Sequence, residues 1–188
     1  IDKNAQLVSL NKINNNEENL AKELEKSNLK KREIAKAVKK AIEDEIRALE
    51  KLKKSKFDAT PDGIALSKNF NKNKGRLIWP VEKGEITSKY GKHQHHLVTT
   101  ATVDNNGIDI TTSKNANVRA VFGGEITSVL IIPGAGKVVM ISHGEYRTVY
   151  ANLKEVYVKK GDQIKVRTKV GRLLAKESGI SEAHFEIW

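Results

Sequence analysis

Three short segments carry the side chains of this 188-residue chain that are best suited to chemistry. They read Asn105-Asn-Gly-Ile-Asp109, Tyr150-Ala-Asn-Leu153 and Glu182-Ala-His-Phe-Glu186. Carboxylates and imidazoles can bind a metal ion or exchange protons near neutral pH, whereas the amide of Asn152 has no proton to exchange. The segments therefore mix groups capable of metal or acid–base chemistry with groups that are not.

A second cluster of chemical groups comprises His93, His95 and His96. Imidazoles this close in sequence can bind a transition metal, but a zinc site needs a further ligand held on rigid elements. The cluster is therefore interpreted as a polar surface loop. His143 ends an apolar run and is predicted to be a hydrogen-bonded structural residue.

The glycine-rich run Gly134-Ala-Gly136-Lys137 suggests a phosphate-binding loop at first sight. That motif requires Gly at position 131 and Ser or Thr at position 138, where Ile131 and Val138 stand. A hairpin turn between two strands is the better interpretation.

The elements that must position these residues change character near residue 57. Residues 1–56 are predicted to form a long coiled-coil helix, because Gln6 to Leu52 contain no Pro or Gly and apolar residues recur at alternating spacings of three and four. Polar residues share the same seam, among them Glu17, Lys31 and Glu45. A partner helix is therefore expected to stabilise the rod.

Residues 57–75 are predicted to be a linker that contains a short helix. Thr60 is suited to be its N-cap and Pro61 its first helical residue, with an acidic residue in the first turn. Ile64 and Leu66 supply its apolar side chains.

Residues 76–188 are predicted to form an all-β domain. Several short β-rich runs are separated by Gly, Asn and Asp, with no helical pattern between them. This arrangement is typical of an antiparallel sandwich or barrel. The predicted fold class is therefore α+β by segment, with a long N-terminal helix followed by an antiparallel β domain.

Residues 76–188 resemble the lysostaphin/LytM-type zinc endopeptidases, which cut peptide cross-links of peptidoglycan. The three segments carry the resemblance, and Trp79-Pro80-Val81 and Ser88-Lys-Tyr-Gly91 agree with it. That family binds zinc through a His-x-Gly-x-Asp segment and the second His of a His-x-His segment. A His in a Tyr-x-His-Leu segment and the first His of His-x-His serve its chemistry. The resemblance implies a LytM-type sandwich or barrel-sandwich hybrid.

By this resemblance, Asn105, Asp109 and His184 occupy the metal-ligand positions, and Asn152 and Glu182 the catalytic ones. One ligand and both catalytic imidazoles are replaced. The chain is therefore predicted to have no catalytic residue, no bound metal and no cofactor. The alternative is an active zinc endopeptidase, in which Glu182 acts as a base toward a metal-bound water.

A coiled coil, a linker helix and an altered LytM-type domain together resemble the EnvC-type murein hydrolase activators. The resemblance implies a periplasmic protein of cell division that activates a zinc-dependent N-acetylmuramoyl-L-alanine amidase through the former catalytic groove. It also implies that the coiled coil docks on an FtsE–FtsX-type membrane complex, and that a helical segment, here Pro61, Ile64 and Leu66, is self-inhibitory. The predicted groove residues are Asn105, Asp109, Arg147, Tyr150, Asn152, Glu182 and His184.

The amino-acid composition excludes some of the other possible functions. The formal net charge is +11, aromatic residues make up 5% of the chain and there is no cysteine. Few aromatics disfavour a reader of single-stranded nucleic acid, and the absence of Cys excludes thiolate catalysis and disulfides. A peptidoglycan-binding module that uses the positive charge, and a periplasmic efflux adaptor, are the other classes considered. A signal segment is expected upstream of Ile1.

Overall fold

The fold was analysed in a computed structural model. The structure describes residues 61–94, 102–132, 136–176 and 178–188, together with separate positions between residues 19 and 48. None of the helices in this part of the chain is long and apolar enough to cross a bilayer.

One helix and eleven strands have defined bounds in the described residues. They are α1 (Pro61–Lys72), β1 (Glu85–Ser88), β2 (Gly91–Gln94), β3 (Thr102–Asn105), β4 (Ile108–Ser113), β5 (Asn117–Arg119), β6 (Gly124–Ile132), β7 (Gly136–Ser142), β8 (Arg147–Val156), β9 (Gln163–Ile164), β10 (Lys169–Leu173) and β11 (Ile180–Ile187).

Nine of the strands form one sheet, in which the main path runs β1-β4-β11-β8-β7-β6-β9. Strand β10 pairs with both β8 and β5, and β2 and β3 form a separate two-stranded sheet. All pairs are antiparallel. The β domain is consistent with the predicted LytM-type β fold.

The central strands β7 and β8 are apolar on both faces, which explains why they lie in the middle of the sheet. Val139, Ile141 and Tyr150 point into the main core. Val138 and Met140 belong to a second apolar cluster. Because side chains alternate along a strand, this second cluster lies on the opposite face of the sheet.

The predicted coiled coil is wrong for the described part of the chain, which is mostly β-sheet and contains no long coiled-coil helix. The positions described between residues 19 and 48 are helical, and the rest of residues 1–56 lies outside the described residues. Ile34 and Ala41 pack against the second apolar cluster of the sheet. These two residues therefore have the sheet as their packing partner.

The short helix predicted at Pro61 is confirmed as α1, and it continues to Lys72. Its buried residues are Ser67 and Phe70. The domain boundaries predicted at residues 57 and 76 stay predictions.

Candidate functional site

Asp109 and His184 meet on adjacent strands of the large sheet. Asp109 lies on β4 and His184 directly opposite on β11, so the two side chains share a face. The Nδ1 of His184 is 2.7 Å from the Oδ1 of Asp109. Asp109 is 1% exposed, so this contact is shielded from solvent.

Glu186 extends the pair into a line of polar groups. It lies two residues after His184 and therefore points to the same face of β11. Its Oε1 is 2.8 Å from the Nε2 of His184, and its Oε2 accepts a hydrogen bond from the Nε1 of Trp188 at 2.7 Å. We call Asp109, His184 and Glu186 the Asp–His–Glu line.

Asn105 is hydrogen-bonded to Asp109, at the other end of the Asp–His–Glu line. Its Nδ2 donates to the Oδ2 of Asp109 at 3.2 Å and to the Oγ of Ser88 at 2.8 Å. Its Oδ1 accepts a hydrogen bond from the backbone N of Gly107 at 3.1 Å. Ser88 lies 3.3 Å from the Nε2 of His93. The amide of Asn105 therefore presents hydrogen-bond donors, and not its oxygen, to Asp109.

The two carboxylates determine the charge of His184. Burial by itself would lower the pKa of this imidazole, but its hydrogen bonds to Asp109 and Glu186, and their negative charges, raise the pKa to about 9. His184 is therefore an imidazolium at neutral pH, and it donates a hydrogen bond from each ring nitrogen.

These residues do not fit the zinc that the LytM resemblance implies. A zinc ligand must offer a lone pair, and both nitrogens of His184 are hydrogen-bonded to carboxylates. The oxygen of Asn105 is used by Gly107. Within the described residues, no group of three or more His, Asp or Glu side chains is placed to hold a metal ion.

Asn152 and Glu182 also lie together, on β8 and β11. The Nδ2 of Asn152 donates to the backbone O of Glu182 at 3.1 Å. The Glu182 carboxylate pairs with the Nζ of Lys176 at 3.0 Å, and the Lys176 side chain is half exposed. Asn152 has a φ of 64°, a left-handed conformation that Asn tolerates better than most residues. Both groups are therefore committed to local contacts.

Arg147 and Tyr150 differ in their positions. Arg147 is buried at the start of β8 and lies on the same face as Val149. Tyr150 lies in the main core against Phe185, where its hydroxyl accepts from the backbone N of Val121 at 3.0 Å. Burial raises the pKa of Tyr150 to about 12. The structure therefore places Tyr150 behind the predicted groove, where it supports β8.

Helix α1 packs against the turn between β7 and β8. The Oγ of Ser67 accepts from the backbone N of Glu145 at 2.7 Å. The ring of Phe70 stacks on His143 and Tyr146 with centroid distances of 4.8 and 5.0 Å. These contacts attach the helix to that turn.

The three residues predicted to be self-inhibitory lie on α1. Pro61 and Ile64 are exposed, and Leu66 is partly buried. Leu66 lines a cavity of about 710 Å³ with Val121 and Phe122. Whether these residues inhibit stays a prediction.

His143 has the structural role predicted for it. It is fully buried, and its ring nitrogens lie 2.7 Å from the backbone O of Gly123 and 2.8 Å from the Oγ1 of Thr148. Burial lowers the pKa of His143 to about 4, despite the hydrogen bond to Gly123. It is therefore neutral at pH 7.

An apolar strip continues the face that carries the Asp–His–Glu line. Its members are Val138, Met140, Val149 and Ala151. Ala151 is directly opposite His184, and Val149 directly opposite Glu186. Ile34 covers the strip. One face of the sheet therefore offers a polar half and an apolar half side by side.

Three contacts of the site were not predicted from the sequence: those of Glu186, Ser88 and His93. The alternation of side chains on a strand is a signal that places Glu186 beside His184. Ser88 meets Asn105, and His93 meets Ser88, only through the pairing of β2 with β3 and of β1 with β4. His95 and His96 lie outside the described residues.

Comparison with known proteins shows the family of this domain. Residues 103–188 match the sequence profile described as Peptidase family M23. The chain is 33% identical over 131 residues to the peptidoglycan DD-endopeptidase ShyB of Vibrio cholerae, a match of 66% of this chain and 29% of that protein. It is 30% identical over 112 residues to an uncharacterized metalloprotease of Buchnera aphidicola, a match of 57% of this chain and 29% of that protein.

A solved complex of SpoIIIAH and SpoIIQ contains the same fold, with a TM-score of 0.51, 24% identity, and coverage of 60% of this chain and 92% of the other. The chain spans less than a third of the length of the two curated relatives. The motif order, the antiparallel sheet and the profile match agree, and residues 103–188 form a domain of peptidase family M23.

Proposed function

We propose that this chain is a non-catalytic regulator of peptidoglycan cleavage, whose M23 domain binds a partner through the face that carries the Asp–His–Glu line. One observation carries the proposal: Asp109 and His184 are hydrogen-bonded directly to each other at 2.7 Å. In a zinc peptidase the two side chains at these positions would both bind the metal. The other ring nitrogen of His184 is 2.8 Å from the Oε1 of Glu186, so both ring nitrogens have carboxylate partners.

The residues at the catalytic positions support the same proposal. Asn152 cannot exchange a proton near neutral pH, and its amide donates to the backbone of Glu182. The Glu182 carboxylate is paired with Lys176. Neither group is placed to activate a water.

The shape and chemistry of the face suit a helical partner. Helical residues Ile34 and Ala41 of this chain pack on the cluster that forms the apolar strip. An amphipathic helix from another protein can use the same strip with its apolar side and the polar half with its polar side. In this proposal the partner is a zinc-dependent N-acetylmuramoyl-L-alanine amidase of the bacterial periplasm.

Regulation follows from occupancy of the strip. While Ile34 packs on the apolar strip, it competes with a partner helix for that strip. The helix α1, with Pro61, Ile64 and Leu66, then acts as the predicted self-inhibitory segment by holding the preceding residues near the sheet. Activation requires displacement of the residues around Ile34.

Dye release from labelled peptidoglycan tests the proposal. The assay compares this chain alone, a zinc amidase from the same organism alone, and the mixture. We expect release above the level of the amidase alone only in the mixture. Release by this chain alone that a chelator abolishes would contradict the proposal.

A point variant tests the covering segment. Ile34→Glu places a charge on the apolar strip, so it is expected to displace the segment and to increase activation by the mixture severalfold. Leu29→Glu is the matched control, because Leu29 is 53% exposed and helical. Equal effects of the two substitutions would contradict the role of Ile34.

A second candidate function is that of an active zinc endopeptidase, which the identity to ShyB favours. It predicts stoichiometric zinc in the purified chain. Elemental analysis of the unmodified chain and of an Asn105→His/Asn152→His/Glu182→His variant separates the two candidates. We expect zinc in the triple variant only.

A further inference from the structure

A basic cavity of about 570 Å³ lies away from the Asp–His–Glu line, between the turn that joins β4 to β5 and the turn that joins β9 to β10. None of its lining residues belongs to the site described above. One carboxylate, that of Glu82, lines it. Its five cationic side chains are those of Lys83, Lys114, Arg119, Arg167 and Lys169. The excess of positive charge makes the cavity attractive to an anion.

Arg119 is held in place before any ligand arrives. Its Nε donates to the backbone O of Trp79 at 3.1 Å, and its Nη2 donates to the backbone O of Val81 at 3.4 Å. The guanidinium is therefore oriented by neutral carbonyls, and its full positive charge remains. A fixed guanidinium binds a phosphate with less loss of side-chain entropy than a mobile one.

The two turns that border the cavity contain unusual backbone. Asn115 has a φ of 56° and Arg167 a φ of 69°. The Asn115 backbone N donates to the Oγ of Ser181 at 2.9 Å, and the Arg167 backbone N donates to the O of Ala120 at 2.9 Å. Non-glycine residues in left-handed conformations concentrate at ligand sites, where surrounding contacts hold them.

Two half-exposed aromatic residues contact lining residues of the cavity. Trp79, whose carbonyl accepts from Arg119, is 46% exposed. Tyr157, whose hydroxyl lies 3.4 Å from the Oδ1 of the lining residue Asn117, is 45% exposed. Trp and Tyr are the side chains that favour the boundary between water and lipid. Together with basic residues they are typical of a surface that rests on a bilayer.

We propose that this face docks on a bilayer of anionic phospholipids, with the phosphate of one headgroup in the basic cavity and Trp79 and Tyr157 at the lipid interface. The net charge of +11 adds long-range attraction to such a surface. Docking here leaves the Asp–His–Glu line to its own partner, because the two sites share no residue.

Sedimentation of the full chain with vesicles tests the proposal. One set of vesicles contains phosphatidylcholine with phosphatidylglycerol, and the other phosphatidylcholine alone. We expect binding to the anionic vesicles to exceed binding to the neutral ones by about tenfold or more. Equal binding to both sets would overturn the proposal.

Matched variants separate the cavity from the net charge. Lys83→Glu/Lys114→Glu/Lys169→Glu changes three exposed cavity residues, and Lys68→Glu/Lys72→Glu/Lys92→Glu changes three exposed residues elsewhere by the same charge. The cavity variant is expected to lose about tenfold in binding and the control much less. Equal losses would overturn the proposal.

Two further measurements identify the source of the anion and the role of the aromatic residue. Trp79→Ala is expected to weaken vesicle binding severalfold while it leaves the melting temperature unchanged. Binding of purified peptidoglycan or of glycerol phosphate through the cavity, without binding of anionic vesicles, would overturn the lipid assignment.

Discussion

Two largely buried histidines of this domain have opposite protonation states. His184 lies between the carboxylates of Asp109 and Glu186, and its pKa is raised to about 9. His143 lies between a backbone carbonyl and the hydroxyl of Thr148, and its pKa is lowered to about 4. Both rings are largely shielded from water, so the charge of the partners decides the difference.

The comparison shows two ways in which this domain holds a histidine ring in place. Around His184, an imidazolium joins two carboxylates on neighbouring strands, as a cation would. Around His143, a neutral ring stacks on Phe70 and belongs to an aromatic cluster. The first arrangement depends on charge and the second on packing, so the two regions should respond differently to substitution and to pH.

The largest effect on stability should come from removal of the His184 imidazolium. His184→Ala leaves the Asp109 and Glu186 carboxylates buried without their positive partner. Breaking a buried ion pair in this way costs about 3–5 kcal/mol of unfolding free energy. Urea unfolding followed by circular dichroism measures it. His143→Ala, which removes neutral hydrogen bonds, should cost less, about 2 kcal/mol, and a larger loss there would contradict the comparison.

The free energy of unfolding should decrease on both sides of neutral pH, by up to about 3 kcal/mol on each side. His184 has a folded pKa above its ordinary 6.5, so its contribution is full below pH 6.5 and is lost as pH rises through 9. His143 has a folded pKa below 6.5, so its contribution is full above pH 6.5 and is lost as pH falls toward 4. Urea unfolding from pH 4 to 10 measures both limbs, and His143→Gln should remove the acid limb alone.

Neutralising one of the two carboxylates should move the alkaline limb. Glu186→Gln keeps a hydrogen-bond partner for His184 but removes a negative charge, so the pKa of His184 should fall by about one unit or more. The expected stability loss at neutral pH is about 1–2 kcal/mol. Titration of the His184 ring by NMR gives the pKa directly. An unchanged pKa would mean that Asp109 alone controls the ring.

The smallest effect should come from the far end of the Asp–His–Glu line. Trp188→Phe removes the donor to Glu186 but keeps an aromatic ring, and Trp188 is 40% exposed. The expected cost is about 1 kcal/mol, measured by thermal unfolding. A loss as large as that of His184→Ala would show that the line is stabilised from this end.

The identities and order of the site residues were predictable from the sequence. Asn105, Asp109, Asn152, Glu182 and His184 stand at the motif positions, and the structure brings them to three strands of one sheet, β4, β8 and β11, and the adjoining end of β3. Short apolar runs separated by turn residues predicted antiparallel strands, because that pattern depends only on local burial and backbone geometry. The helix at Pro61 followed from its local start signals in the same way.

The packing partners of residues far apart in the chain were harder to predict from the sequence. The spacing of Leu, Ile and Ala before residue 57 predicted a coiled coil, whereas Ile34 packs on β-sheet residues. A helical stripe shows that a partner exists, and it does not show whether that partner is a helix or a sheet. Tyr150 was predicted for the groove, but alternation along β8 directs it to the core.

The sequence by itself determined which chemical groups are available at the site: two carboxylates, one imidazole and amides in the M23 motif positions. Only the tertiary structure decided what those groups do to one another. The register of β4 against β11 sets Asp109 opposite His184, and the hydrogen bonds and charges of Asp109 and Glu186 keep the ring protonated despite its burial. Protonation depends on distances of a few ångströms between residues 75 positions apart in the chain, which no local pattern records.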